Sequence, residues 1–188
     1  MSLKRFFVAH LFVGFLAGFI MLVTNIMQGI GFITSESSLT FVTFIAWSCY
    51  FFSGCTPKDA VISWASFAVG IICAVIIFVC TDIFADLGLN VFYIALPLAV
   101  VVGVIFMDFG EKLPIGNRVS AIYLGAATYF GMMGIPAVAA KGFLMVGIAE
   151  MVYAALGFLS GYLTLVVLGV FTPKEAKTST ETLAQENA

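Results

Sequence analysis

Charged side chains are scarce in this sequence. Eight Lys and Arg and ten Asp and Glu make up 10% of its 188 residues, where a soluble domain carries about 25%. That composition leaves no room for a sizeable soluble domain. The formal net charge is −2 and basic clusters are missing, which argues against a nucleic-acid partner. There is one histidine, His10. The four cysteines, Cys49, Cys55, Cys73 and Cys80, show no Cys-x-x-Cys or Cys/His metal spacing. They read as small apolar core residues, and no metal site is expected. A Gly-rich phosphate loop, a Ser/His/Asp set and a His-Glu-x-x-His motif are all missing. So are paired carboxylates within the apolar runs. No catalytic residue or cofactor is expected, and the chain does not read as an enzyme.

What is present is apolar. Hydrophobic residues make up 62% of the chain and aromatics 15%, with 20 Phe; the mean hydropathy is +1.15. A membrane span needs about 20 apolar residues. Six segments qualify as candidates, at roughly 6–28, 39–53, 60–80, 90–107, 119–134 and 143–171. The second and fifth are short. The opening Met1-Ser-Leu-Lys-Arg5 resembles the start of a signal peptide. However, the run from Phe6 to Met27 is longer than a signal core of about 7–15 residues, and no Ala-x-Ala follows it. The run is expected to be a span.

The sequence therefore predicts an all-α polytopic membrane protein. Residues 1–171 form one domain of six transmembrane helices, and 172–188 form a polar cytoplasmic tail, expected to be disordered. Six spans collect Lys4, Arg5, Lys58, Lys112, Arg118, Lys174 and Lys177 on one side. The other side keeps only Lys141, with Glu36, Asp82 and Asp86. Basic loops face the cytoplasm, so both termini are expected there.

A shift of 79 residues lays Tyr50-Phe51 on Tyr129-Phe130 and Pro57 on Pro136. It also lays spans one to three on spans four to six. Three spans per unit is odd, so the second unit is expected upside down, a 3+3 inverted repeat with short second and fifth helices. Such repeats place related half-sites near the bilayer midplane, often at Gly/Pro-interrupted helices. The matching segments here are 46–57 and 125–136. They read equally well as ordinary span ends with Gly and Pro stop signals.

The stretch from Phe44 to Lys58, with its aromatic pair before a Gly/Pro break, and the Gly-rich Tyr123 to Gly131 resemble the YcdZ-like family of small bacterial inner-membrane proteins. The resemblance spans about residues 8–170. It implies a multi-span fold in the bacterial inner membrane. That family is a domain of unknown function, so it implies no substrate and no functional residue.

Glu150 is the one acid inside the run from Phe143 to Val170. A carboxylate at the bilayer centre costs about 2.5–3.5 kcal/mol, so it must face the bundle, water or a partner. It shares a helical face with Tyr153, Gly157, Gly161 and Thr164, at steps of three and four. It also lies near the outer end of a long span, where it could rest at the interface. His10, Gly14, Gly18, Met21, Asn25 and Gln28 form a comparable stripe on the first span. Asp59, Ser63, Ser66, Gly70 and Cys73 form one on the third. Such stripes suit a hydrated path, or helix packing alone. Trp47, Tyr50 and Phe51 are expected to meet Tyr129 and Phe130 through the repeat. Aromatic faces attract cations and flat, weakly polar solutes, though aromatics near span ends also form interface belts.

The expected function is a channel or facilitator for a small uncharged or weakly cationic solute: a urea-like amide, a small alcohol or an amine. Its path is expected along Asn25, Tyr50, Tyr129 and the Glu150 face, narrowed by Trp47, Phe51 and Phe130. A proton-coupled carrier using Glu150 is one alternative, and a non-transporting scaffold or regulator is another. The expected partners are the lipid bilayer, the solute and further copies of the chain, associating through Gly-xxx-Gly faces on spans one and six.

Overall fold

The computed structural model describes residues 3–31, 33 and 38–171. Every element among them is helical. In chain order these are α1 (Leu3–Gly29), α2 (Thr40–Phe52), α3 (Pro57–Asp86), a π-turn (Val91–Ala95), α4 (Leu96–Phe109), a 3-10 turn (Gly110–Lys112), α5 (Val119–Met133), the one-turn α6 (Pro136–Ala139) and α7 (Phe143–Phe171). Each of the six apolar segments coincides with a helix. The tail 172–188, with Lys174 and Lys177, and Glu36 all lie outside the described residues.

Local chemistry sets the helix ends. Thr56 caps α3: its hydroxyl accepts from the Asp59 amide at 3.1 Å, and Pro57 follows at the first helical position. The cap explains why α3 begins earlier than its apolar run. At the far end, polar Thr81, Asp82 and Asp86 do not stop the helix. It ends only at Gly88, whose φ of +82° closes the turn. Pro97 explains the π-turn. It has no N–H to give the carbonyl four residues back, so the backbone widens there. The Leu96 amide reaches Val91 and the Ala95 amide reaches Asn90, five residues back in each case. The Asn90 side chain accepts from the Phe92 and Tyr93 amides and closes the helix start.

Among the described residues, four helical stretches are long and apolar enough to cross a membrane: Phe6–Gly29, Pro57–Asp86, Val91–Lys112 and Phe143–Gly169. The helices α2 and α5 are apolar but shorter, at 13 and 15 residues. At 1.5 Å per residue they run roughly 20 and 23 Å, less than the ~30 Å hydrocarbon core.

Two long helices, α3 and α7, cross at the centre of the molecule. The Trp64 indole donates to the Met151 carbonyl at 2.8 Å, and Gly147 faces Ile71. Rising numbers on α3 meet falling numbers on α7, so the two run antiparallel. The short α5 lies along α3, and the short α2 along α7. On the outside α4 packs on α3, and α1 on α7. The α3–α5 contact is backbone to backbone. A methyl group on Gly125 would lie 2.6 Å from the Phe67 backbone, and one on Gly70 2.7 Å from the Ala126 amide. The α2–α7 contact is as close, with Gly157 against the Thr43 carbonyl and the Trp47 amide. Small residues permit such approach. The outer faces of α1 and α4 carry many exposed apolar side chains, among them Phe7, Phe15, Phe19, Val101 and Phe106.

Candidate functional site: a buried carboxyl between short and long helices

On α7 the side chains of Glu150, Tyr153 and Thr164 are buried, as are Gly157 and Gly161. The face expected from three- and four-residue steps is therefore the inward one. Glu150 itself is 0% exposed. It lies between Gly147 and Met151, two of the α7 residues that meet α3.

Glu150 takes one hydrogen bond, from the Thr128 hydroxyl of α5 to Oε1. Thr128 is also buried, and its hydroxyl lies within 3.0 Å of the Gly125 carbonyl and 2.9 Å of the Leu124 carbonyl. The second carboxyl oxygen, Oε2, has no hydrogen-bond partner among the described residues; neither do Tyr153 OH and Ser63 Oγ. The one ion pair among those residues, Arg118 with Asp59, lies elsewhere, so Glu150 has no cationic partner. Unpartnered buried polar atoms are costly, about 1–3 kcal/mol each. Two of them, Glu150 Oε2 and Tyr153 OH, sit one turn apart on α7. Such a carboxyl can take a proton, or accept from a donor-bearing guest.

The other expected site residues fall into separate places. Tyr50 packs on Gly161 of α7, and its hydroxyl donates to the Cys55 carbonyl at 2.8 Å. Tyr129 packs near Gly147, and its hydroxyl donates to the Phe143 carbonyl at 2.9 Å. Gly147 and Gly161 are 14 residues apart, roughly 21 Å along a helix. The two tyrosines thus do not meet. Trp47 is buried and stacks on Phe44 at 5.9 Å. Phe51 is exposed, with its ring edge to Tyr50. Phe130 is half-buried against Phe78, which also touches Tyr129 and Phe143. These are two aromatic clusters at different levels, one on each short helix.

Asn25 is exposed, and its side chain accepts from Ser38. The packed face of α1 is instead Ala9, Ile20, Thr24 and Gln28. Thr24 hydrogen-bonds Thr40 of α2 at 2.7 Å, and Gln28 accepts from the Leu39 amide at 3.2 Å. Nothing lies against Gly14 or Gly18. On α3 the expected stripe does turn inward: Ser63, Ser66, Gly70 and Cys73 are buried. An almost entirely apolar groove of about 860 Å³ runs beside the α3–α7 crossing, lined by Trp64, Ile72, Gly147 and Met151 among others. Glu150 points away from it, into the protein.

Sequence reading missed Thr128 as the partner of Glu150, and the pairing of Asp59 with Arg118. Thr128 carried a signal, as the hydroxyl among the small residues Gly125, Ala126 and Ala127 of a short helix. No group of three or more His, Cys, Asp or Glu that could hold a metal occurs among the described residues.

Long apolar helices around a buried, sparsely partnered carboxyl are the build of a membrane protein. A family model described as a protein of unknown function (DUF1097) matches residues 10–165, and the chain belongs to that family. No curated protein matches the chain, and no solved structure does.

Proposed function

We propose that this chain is a six-span protein of the bacterial inner membrane, YcdZ-like, with both termini cytoplasmic. It carries a small uncharged or weakly cationic solute across the membrane, and Glu150 is the group the solute meets. The single observation behind this reading is the carboxyl itself: fully buried at the α3–α7 crossing, with Oε2 unpartnered. Intramembrane ionisable residues mark solute or proton paths by default.

The packing supports a 3+3 inverted repeat. Exchange α1 with α4, α2 with α5 and α3 with α7, and the pairs map onto one another: α3–α5 becomes α7–α2, and α3–α4 becomes α7–α1. Tyr50 and Tyr129 each tie a short helix to a backbone carbonyl at the start of the next long one. In inverted repeats the site lies near the midplane where the repeats meet, and the position of Glu150 beside the α3–α7 crossing supports such a site. Copies of the chain would associate through the open Gly14-xxx-Gly18 face of α1, since Gly157 and Gly161 are already used by α2.

One observation favours a proton-coupled carrier over an open channel. The short helices are sealed against the long ones by backbone contact, which leaves Glu150 enclosed. A proton or a solute donor can then alternate on Oε2.

The test is stopped-flow light scattering on proteoliposomes with urea, acetamide, glycerol and methylamine, with and without a pH gradient. Accelerated flux of one solute, reduced at least tenfold by Glu150→Gln, is expected. A need for the gradient selects the carrier. No acceleration of any solute under either condition overturns transport and leaves the scaffold.

A further inference from the structure

We infer that the chain is built as two three-helix bodies, α1–α2–α7 and α3–α4–α5, which move against each other, and that the seam between them, at Glu150 and Thr128, is where a solute is admitted. The mechanical half stands on packing alone; that the seam admits a solute rests on the reading proposed above.

The bodies are not the two sequence repeats. Each has two helices from one repeat and takes its third from the other: α7 joins α1 and α2, while α3 joins α4 and α5. What separates bodies from seam is the kind of contact. Inside each body the long helix touches its short partner through backbone, while α4 meets α3 through side chains such as Ile77 against Gly103. Gly70 and Gly125 leave no space for a Cβ between α3 and α5, and Gly157 leaves none between α2 and α7. Side-chain ties reinforce this: Thr43 of α2 donates to the Tyr153 carbonyl of α7 at 3.1 Å, and Ser66 of α3 accepts from the Arg118 amide at the start of α5 at 3.1 Å. These pairs cannot slide without backbone clash.

Across the seam the contacts are side-chain tips. A Cβ on Gly147 would meet the Ile71 methyl at 3.2 Å and the Tyr129 ring at 3.8 Å, and one on Gly131 would meet the Phe41 ring at 3.2 Å. Phe67 meets Phe158 edge to face, with centroids 5.6 Å apart. Two side chains reach across to backbone carbonyls: Trp64 to Met151, and Tyr129 to Phe143. The Thr128–Glu150 bond joins side chain to side chain. Both orphaned oxygens of α7, Glu150 Oε2 and Tyr153 OH, belong to the first body. Tips can rotate away where backbones cannot, so the seam is where packing yields. Rocking of one helix group against another around a fixed site is a general way to alternate access.

The experiment measures spin-label distances by pulsed electron resonance in proteoliposomes. Native Cys49, Cys55, Cys73 and Cys80 are replaced by Ala, and labels go on exposed positions. Phe7–Ser48 reports within the first body, Asp86–Ser120 within the second; Ser48–Asp86 and Phe7–Ser120 cross the seam. Broader or two-peaked distributions are expected for the crossing pairs alone, and Thr128→Val should shift those pairs only. Equal widths for all four pairs overturn the inference, as does breadth confined to a within-body pair. If the cysteine-free chain fails to fold, spin-labelled amino acids placed by codon reassignment in the native chain give the same comparison. Seam motion without flux of any solute sinks the transport reading and leaves the two bodies. Flux with a rigid seam does the reverse.

Discussion

Asp59 and Glu150 are carboxylates in the same bundle with opposite circumstances. Asp59 sits in the first turn of α3, where a helix start favours negative charge. It pairs with Arg118, takes the Thr56 hydroxyl at 2.6 Å and keeps 19% of its side chain exposed. Every part of that cluster is a structural answer: a cap, a counter-ion and a loop clamp joining the starts of α3 and α5. Glu150 sits inside α7 with no exposure, no counter-ion and one hydroxyl. A fold needs the first arrangement and gains nothing from the second. The difference is what the proposed function rests on: the satisfied acid holds the helices, and the unsatisfied one leaves a buried oxygen without a partner.

Substitutions can break this contrast, and the largest effect belongs to charge reversal at the buried position. Glu150→Lys puts an uncompensated ammonium in the place of the buried carboxyl and should cost about 3–5 kcal/mol. Loss of a monodisperse peak in detergent chromatography would register it. Normal yield and melting of this variant would mean that the carboxyl reaches water, and the contrast would collapse. Thr128→Val comes next. It removes the one donor to Glu150 among the described residues and leaves Oε1 unsatisfied as well, so a loss of about 1–3 kcal/mol is expected in thermal melting. Thr128→Ser keeps the hydroxyl and should recover most of it. Equal melting of the Val and Ser variants would show that the hydroxyl contributes nothing to Glu150.

At the exposed site effects are smaller. Thr56→Ala removes the α3 cap and should cost about 1 kcal/mol, while leaving flux of any carried solute unchanged. Reduced flux with unchanged melting would move Asp59 and its neighbours into the functional machinery.

Much of this arrangement was legible in the sequence, for reasons that can be named. Apolar run length found α1 to α5 and α7, because an apolar helix leaves its run uninterrupted, but it missed the one-turn α6, and only four of the stretches are long enough to cross a membrane. Glu150 stood out as a lone acid in such a run. Its burial did not, because 29 residues exceed a span and leave room for the acid at an exposed end; its contact with Thr128 of α5 shows the inward side. The stripe on α1 named Asn25 and Gln28; Gln28 is buried, but the residue buried with it is Thr24, not Asn25. A helix that faces lipid on one side and protein on the other has little polar contrast, so small and polar steps alone mislead by one residue. Tyr50 and Tyr129 were expected to meet as repeat counterparts, and they do not. Positions equivalent under a repeat are related by its symmetry axis, and they come together only when they lie on it. These two lie at separate levels of α7, whereas Glu150, whose repeat counterpart is Ile71, lies beside the crossing.

The smallest expected effect closes the comparison from the other side. Arg118 is 41% exposed in its pair with Asp59, so solvent screens it. Exposed pairs contribute about 0–1 kcal/mol, and Arg118→Met, which keeps much of the side-chain stem, should fall in that range. The loss should also depend on salt. At an ionic strength near 1 M the screening length falls to ~3 Å, and the variant should then melt with the parent. Thr128→Val should keep its full deficit at the same salt, because ions do not enter the core around Glu150. Melting both variants in low and high salt therefore separates the two carboxylates by the medium each one feels. If the Arg118 deficit persists in high salt, the clamp on Asp59 is as dry as the core, and the two acids differ in partners alone.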